Sequence, residues 1–139
     1  MTAKEQLRKY SDIKRNIERI KQRIETVEAK ICKCTTHTDK VIVQGGDGDK
    51  TDLISLYIEL KSKYQQELSR SLRYCLEIET RLESMEDGID KRLLRAKYLY
   101  FETFEQIAVK EHMCWRHIMR IHKRALRKYQ EITKGAGNC

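Results

Sequence analysis

The stretch Thr103–Tyr129, TFEQIAVKEHMCWRHIMRIHKRALRKY, decides how the chain is read. Its opening, Thr103-Phe-Glu-Gln106, has the spacing of a capping box. A hydroxyl stands at the N-cap and an amide side chain three residues on, each able to satisfy an orphan backbone donor. Ile107 and Ala108 supply the inward face of a short helix, and Glu111-His112-Met113 interrupts the pattern. A second helix is expected to begin near Cys114. Ile118, Ile121, Ala125 and Leu126 give it one apolar stripe at spacings of 3, 4 and 1. Opposite that stripe stand Arg116, Met119, Arg120, Lys123 and Arg127. A short helix, a tight turn and a longer helix with a cationic outer face make the helix-turn-helix pattern. In its DNA-binding versions the second helix enters the major groove.

Around this stretch the charge of the chain is unevenly spread. Residues 91–139 hold 12 of the 29 basic residues but only 4 of the 21 acidic ones. The remaining 17 basic and 17 acidic residues of 1–90 cancel, so the net charge of +8 sits wholly on the helix-turn-helix part. A solvated basic face is the plain explanation of a charge run. An asymmetry this complete, on the motif that would touch phosphates, favours nucleic acid.

Thr103, Glu105, Ile107, Ala108, Ile118, Ile121 and Ala125-Leu126-Arg127-Lys128 also carry a family likeness. Through them the stretch resembles region four of bacterial primary sigma factors, which reads the −35 promoter element. With Leu93, Arg95, Tyr98 and Leu99 ahead of it, it looks still more like the small sigma-region-four-like regulators of phages and prophages, the ArpU/RinA type. In those proteins a long helical N-terminal part precedes the motif. By this resemblance Trp115, Arg116, Met119 and Arg120 face the bases. Arg116 and Arg120, one turn apart, suit bidentate contacts to guanine. His117, Lys123, Arg124, Arg127 and Lys128, with the capped end at Thr103, are placed for phosphates. For Trp115 packing against the preceding helix is an equal alternative, for Met119 partial burial, and for the arginines plain solvation. The chain departs from the family where His112 replaces the usual turn Gly, Cys114 the usual Ser or Thr cap, and Glu111 an apolar residue. Polar residues are also usual where Trp115 and Met119 stand, so its sequence preference should differ from a −35 element.

The rest of the chain predicts long helices. Ile13, Ile17, Ile20, Ile24, Val27 and Ile31 are spaced 4, 3, 4, 3 and 4, a heptad seam that Tyr10 extends by one step. So narrow a stripe needs a helical partner. Leu53, Tyr57, Leu60, Tyr64, Leu68, Leu72, Cys75, Ile78, Leu82 and Met85 form a second stripe from about Thr51 to Glu86. A loop is expected at about 33–50, where Gly45, Gly46 and Gly48 stand among aspartates. The expected fold is therefore all-α. A long antiparallel coiled-coil helical hairpin, residues 1–86, is followed by a C-terminal helix-turn-helix over 87–134 and a frayed tail over 135–139. A lone hairpin leaves apolar stripe uncovered, so residues 10–86 are expected to form a homodimer.

Other chemistries find little support. Gly45-Gly-Asp-Gly-Asp-Lys50 lacks the spacing of a phosphate loop, and Asp47-x-Asp49 lacks the closing Glu of a calcium loop. Cys32, Cys34 and His37 offer a metal only three ligands at unusual spacing. Cys114 and His117 share a helix face but have no orienting third group and no pocket. No enzyme, cofactor, metal or small-molecule substrate is expected. There is no apolar run long enough to span a bilayer and no apolar signal core, which points to the bacterial host cytosol and reduced cysteines. The resemblance implies a transcriptional regulator of phage or prophage type that binds double-stranded DNA, of the late-gene-activator kind. A protein-docking adaptor on RNA polymerase is the runner-up, and a packaging-associated subunit a third reading.

Overall fold

The computed structural model describes residues 1–38 and 47–137, with side chains for 1–34 and 51–135. The described residues form helices joined by short turns, with no strand among them. Helix α1 spans Ala3–Thr38, α2 Asp47–Glu83, α3 Ile89–Leu94, α4 Phe104–Lys110 and α5 Trp115–Gly137. A turn of π-helix, Arg95–Leu99, continues α3. No helix among the described residues is long and apolar enough to cross a membrane.

Three helices run further than expected; α2 begins at Asp47, ahead of Thr51, and takes in Gly48, a residue expected in the loop. No Gly or Pro stands between Ile31 and Gln44, so nothing in the backbone stops α1 at Lys33 and it continues to Thr38. Likewise α5 continues through the expected tail to Gly137. The expectations for Gly45 and Gly46, and for the side chain of His37 in the candidate metal set, lie outside the described residues.

The chain divides into two compact units. The first joins Met1–Lys14 to Arg73–Cys139, and the second is Arg15–Leu72. These units do not coincide with the expected segments 1–86 and 87–134. The reason is that Ala3, Leu7 and Tyr10 of α1 bury themselves in the first unit. They do so beside Cys75, Ile78, Leu82 and Met85 of α2, which continue the spacing of the second stripe. Leu93, Leu94 and Tyr98, then Ile107 and Ala108, then Ile118, Ile121, Ala125 and Tyr129 complete that core. Polar tips tie the pieces together. The Tyr74 hydroxyl donates to the Gln6 carbonyl at 3.1 Å, the Tyr10 hydroxyl donates to Glu79, and Lys14 lies 3.7 Å from the same carboxylate. The α2–α3 joint is held by Lys91, which donates to the Glu83 carbonyl and to Asp87, both at 3.1 Å.

In the second unit Ile17, Ile20 and Val27 are buried while Ile24 and Ile31 are half-buried. Tyr57, Leu60, Tyr64 and Leu68 of α2 are half-buried too. Leu53 and Leu72, expected in the stripe, are exposed. Lys61 pairs with Glu28 at 3.0 Å, and the cations of Arg23 and Lys30 lie over the rings of Tyr64 and Tyr57. Long cationic side chains thus cover aromatic faces that no other core covers.

Candidate nucleic-acid interface

Helix α4 begins as its sequence dictates. The Thr103 hydroxyl accepts from the Gln106 backbone N–H at 3.2 Å, and the Gln106 amide oxygen accepts from the Thr103 N–H at 2.9 Å. Both halves of the capping box are made. The helix ends in a Schellman arrangement: the His112 N–H donates to the Val109 carbonyl at 3.3 Å, and the Met113 N–H to the Ala108 carbonyl at 2.9 Å. His112 has φ 55°, the left-handed conformation that glycine adopts most cheaply. Glu111, the other unusual residue of this turn, meets both Arg92 nitrogens, Nε and Nη2, at 3.2 Å. The turn is therefore fastened from α3 where an apolar residue would have packed.

Helix α5 buries Ile118, Ile121, Ala125 and Tyr129 and turns its other side outward. Trp115, Arg116 and Arg120 are exposed and Met119 is half-buried. At positions i, i+1, i+4 and i+5 they share the outer side of the first two turns. Lys123 and Arg127 continue that side and are exposed, as is His117. Among the described residues Arg116, Arg120, Lys123 and Arg127 carry no ion pair. Trp115 keeps 52% of its surface exposed.

Arg124 and Lys128 are placed differently from the other cations. Arg124 Nε lies 3.0 Å from Asp90 Oδ1, and Lys128 Nζ 2.6 Å from Asp90 Oδ2. The Asp90 side chain is only 10% exposed. Burial alone would raise its carboxyl, but the hydrogen bonds from Lys128 and Arg124 outweigh it and hold the pKa below the ordinary range. These two cations therefore fasten α5 to α3 through one shared carboxylate. Thr103, too, spends its hydroxyl on its own helix.

Sequence reasoning did not single out Asp90 or the partnership of His122. The two Asp90 contacts span 34 and 38 residues, and no local pattern joins them. One signal existed: Arg124 and Lys128 are one turn apart on the flank of a buried stripe, where cations need a nearby acid. His122 is 4% exposed. Its Nε2 lies 2.9 Å from the Tyr98 hydroxyl, and the Phe104 ring meets it edge-on at 4.9 Å. Burial, with Lys4, Lys97 and Arg8 adding repulsion, lowers its pKa to about 4. The neutral ring shares a hydrogen bond with the Tyr98 hydroxyl, and burial pushes the Tyr98 phenol up to about 12. Neither group is exposed enough to serve a ligand. Their role is to lock α5 to the π-turn and to α4.

The exposed side of α5 is thus a row of unpaired cations beside an aromatic ring, on a helix whose other sides are held by an acid, a buried imidazole and an apolar core. Comparison of the chain with protein-family models, with curated proteins and with solved structures finds no match for it.

Proposed function

We propose that the protein is a sequence-specific regulator that binds double-stranded DNA, with α4, its turn and α5 acting as a helix-turn-helix and α5 lying in the major groove. The observation that carries this reading is the outer side of α5. Arg116, Arg120, Lys123 and Arg127 are exposed there without ion pairs among the described residues, while the same helix is rigidly seated. Arg116 and Arg120, with Trp115 and Met119, read bases, and Lys123, Arg127 and His117 approach phosphates. Arg124 and Lys128 act first through Asp90, as the residues that orient α5. The resemblance to sigma region four and to the phage regulators that carry it supports the same reading and makes transcription the process served.

The two long helices, on this reading, form an antiparallel coiled-coil hairpin whose dimer sets the spacing of two half-sites. Leu53, Leu56 and Ile58 stand exposed in the second unit and supply apolar surface for a second copy to cover. Sedimentation at micromolar concentration checks this: a monomer there rules the dimer out.

Selection of bound fragments from a random duplex library at physiological salt tests the main reading. An enriched motif is expected. Replacing Arg116 and Arg120 by Ala should relax its sequence at a cost of about 1–3 kcal/mol per guanine contact. Replacing Lys123 and Arg127 should weaken all sequences alike. The log–log salt slope should be roughly −4 to −5, as about four to six phosphate contacts give. No enrichment by folded protein would favour the docking module on RNA polymerase instead.

A further inference from the structure

A second set of cations borders α5, and it comes from the other end of the chain. In the first turns of α1, Ala3, Leu7 and Tyr10 point into the core, and Lys4, Arg8 and Ser11 form the line beside them. That line faces the π-turn, because the Ser11 hydroxyl donates to the Tyr98 carbonyl at 3.0 Å. Lys97, on the same turn, holds its Nζ 4.4 Å from the centroid of Phe104, the first residue of α4. Lys4, Arg8 and Lys97 each oppose protonation of His122, the buried imidazole of α5 that meets Tyr98.

Further along α5, the Ala3 N–H donates to the Gln130 amide oxygen at 2.9 Å. A shallow depression there is lined by Lys4, Arg127 and Lys134, with Glu131 the acid on its border. Among the described residues Lys4, Arg8, Arg127 and Lys134 make no ion pair, and Lys97 has only its ring contact. Glu5 and Asp12, three residues before and four after Arg8, are the acids that border this line; Glu5 accepts from the Thr2 N–H at 2.9 Å, and neither forms an ion pair among the described residues. A run of positive charge therefore extends from the start of α4, across the first turns of α1, to Arg127.

We infer that Lys4, Arg8 and Lys97 are a second phosphate-contacting flank for the duplex held by α5. A helix about 10–12 Å wide fills a major groove about 12 Å wide, so phosphates lie on both sides of it. Lys123 serves one wall, and the α1–π-turn cations, continuous with Arg127, serve the other. The first residues of α1 are thus part of the DNA interface as well as of the core. This inference rests on the DNA-binding reading above.

The test uses the full chain and the salt dependence of its affinity for duplex DNA. The variant Lys4→Gln/Arg8→Gln/Lys97→Gln is compared with Arg19→Gln/Lys63→Gln/Arg70→Gln, which loses the same charge from the second unit. The first should shrink the log–log salt slope by about 2 to 3, on the order of 0.9 per lost contact, with sequence preference unchanged. The control should leave the slope nearly as in the wild type. Equal slopes in the two variants overturn the inference. So does a wild-type slope in the first. If the first variant melts early, Arg8→Gln alone reads the same flank, with a slope change of about 1 expected. Absence of salt-dependent duplex binding by the wild type overturns the DNA-binding reading itself, and this inference with it.

Discussion

The two units are built partly from the same helices, yet they bury different things. In the first unit α1 and α2 place Leu7, Tyr10, Ile78 and Leu82 in a core where these side chains have almost no surface left. Polar tips there find fixed partners, such as Tyr98 with His122 and Asp90 with Arg124 and Lys128. In the second unit Ile17, Ile20 and Val27 are buried, but Ile24 and Ile31 of the same seam and Tyr57, Leu60, Tyr64 and Leu68 of α2 are only half-covered. The difference teaches that a seam two helices wide hides only its central row. Full burial needs further elements arriving at other angles, and α3, α4 and α5 supply them.

The contrast breaks most visibly in stability. Ile118→Ala, in the first unit, should cost about 2–5 kcal/mol, because a fully buried side chain leaves a cavity. Ile24→Ala, at a half-buried place in the second unit, should cost about 1–2 kcal/mol, since less area returns to water. Denaturant titration of both variants checks the pair, and equal losses would dissolve the distinction.

A somewhat smaller effect concerns pH. His122 has a folded pKa of about 4, below the ordinary 6.5, so between those values the unfolded chain binds the extra proton. Stability is therefore present above pH 6.5 and is lost as pH falls toward 4, by up to about 3 kcal/mol. His122→Gln should flatten the fall of melting temperature over that window, relative to the wild type. An unchanged profile would mean that another group sets the acid sensitivity.

The smallest effects sharpen the picture at α4. Thr103→Ala should cost about 1 kcal/mol by removing the cap. His112→Gly should gain about 0.5–1 kcal/mol by relieving a left-handed side chain, without moving the turn. Thermal melts resolve both, and a loss on His112→Gly would show that the imidazole has a partner of its own.

What the sequence made legible was local. The Thr103–Gln106 cap, the break at His112 and the stripe Ile118–Ile121–Ala125 follow from spacings within a few residues and correspond to a cap, a turn and a buried row, while of the seam from Tyr10 to Ile31 only Tyr10, Ile17, Ile20 and Val27 are buried. The exposed row Arg116, Arg120, Lys123 and Arg127 was visible for the same reason. Contacts across long separations were not legible. Nothing near Asp90 announces Arg124, and nothing near Ser11 announces Tyr98. The π-turn at Arg95–Leu99 was equally hidden. Its bond from the Tyr100 N–H to the Arg95 carbonyl depends on where the chain must go next, toward Phe101 with φ 56°.

The bond between Ala3 and Gln130 joins residues 127 positions apart, and it has a consequence for how the chain is made. During synthesis Leu7 and Tyr10 emerge long before the helix that completes their surroundings. Until Ile118–Tyr129 follows them out of the ribosome, the earliest part of α1 has no finished core to enter. The N-terminal residues must wait, and the first unit closes late, by capturing one of its oldest segments with its youngest.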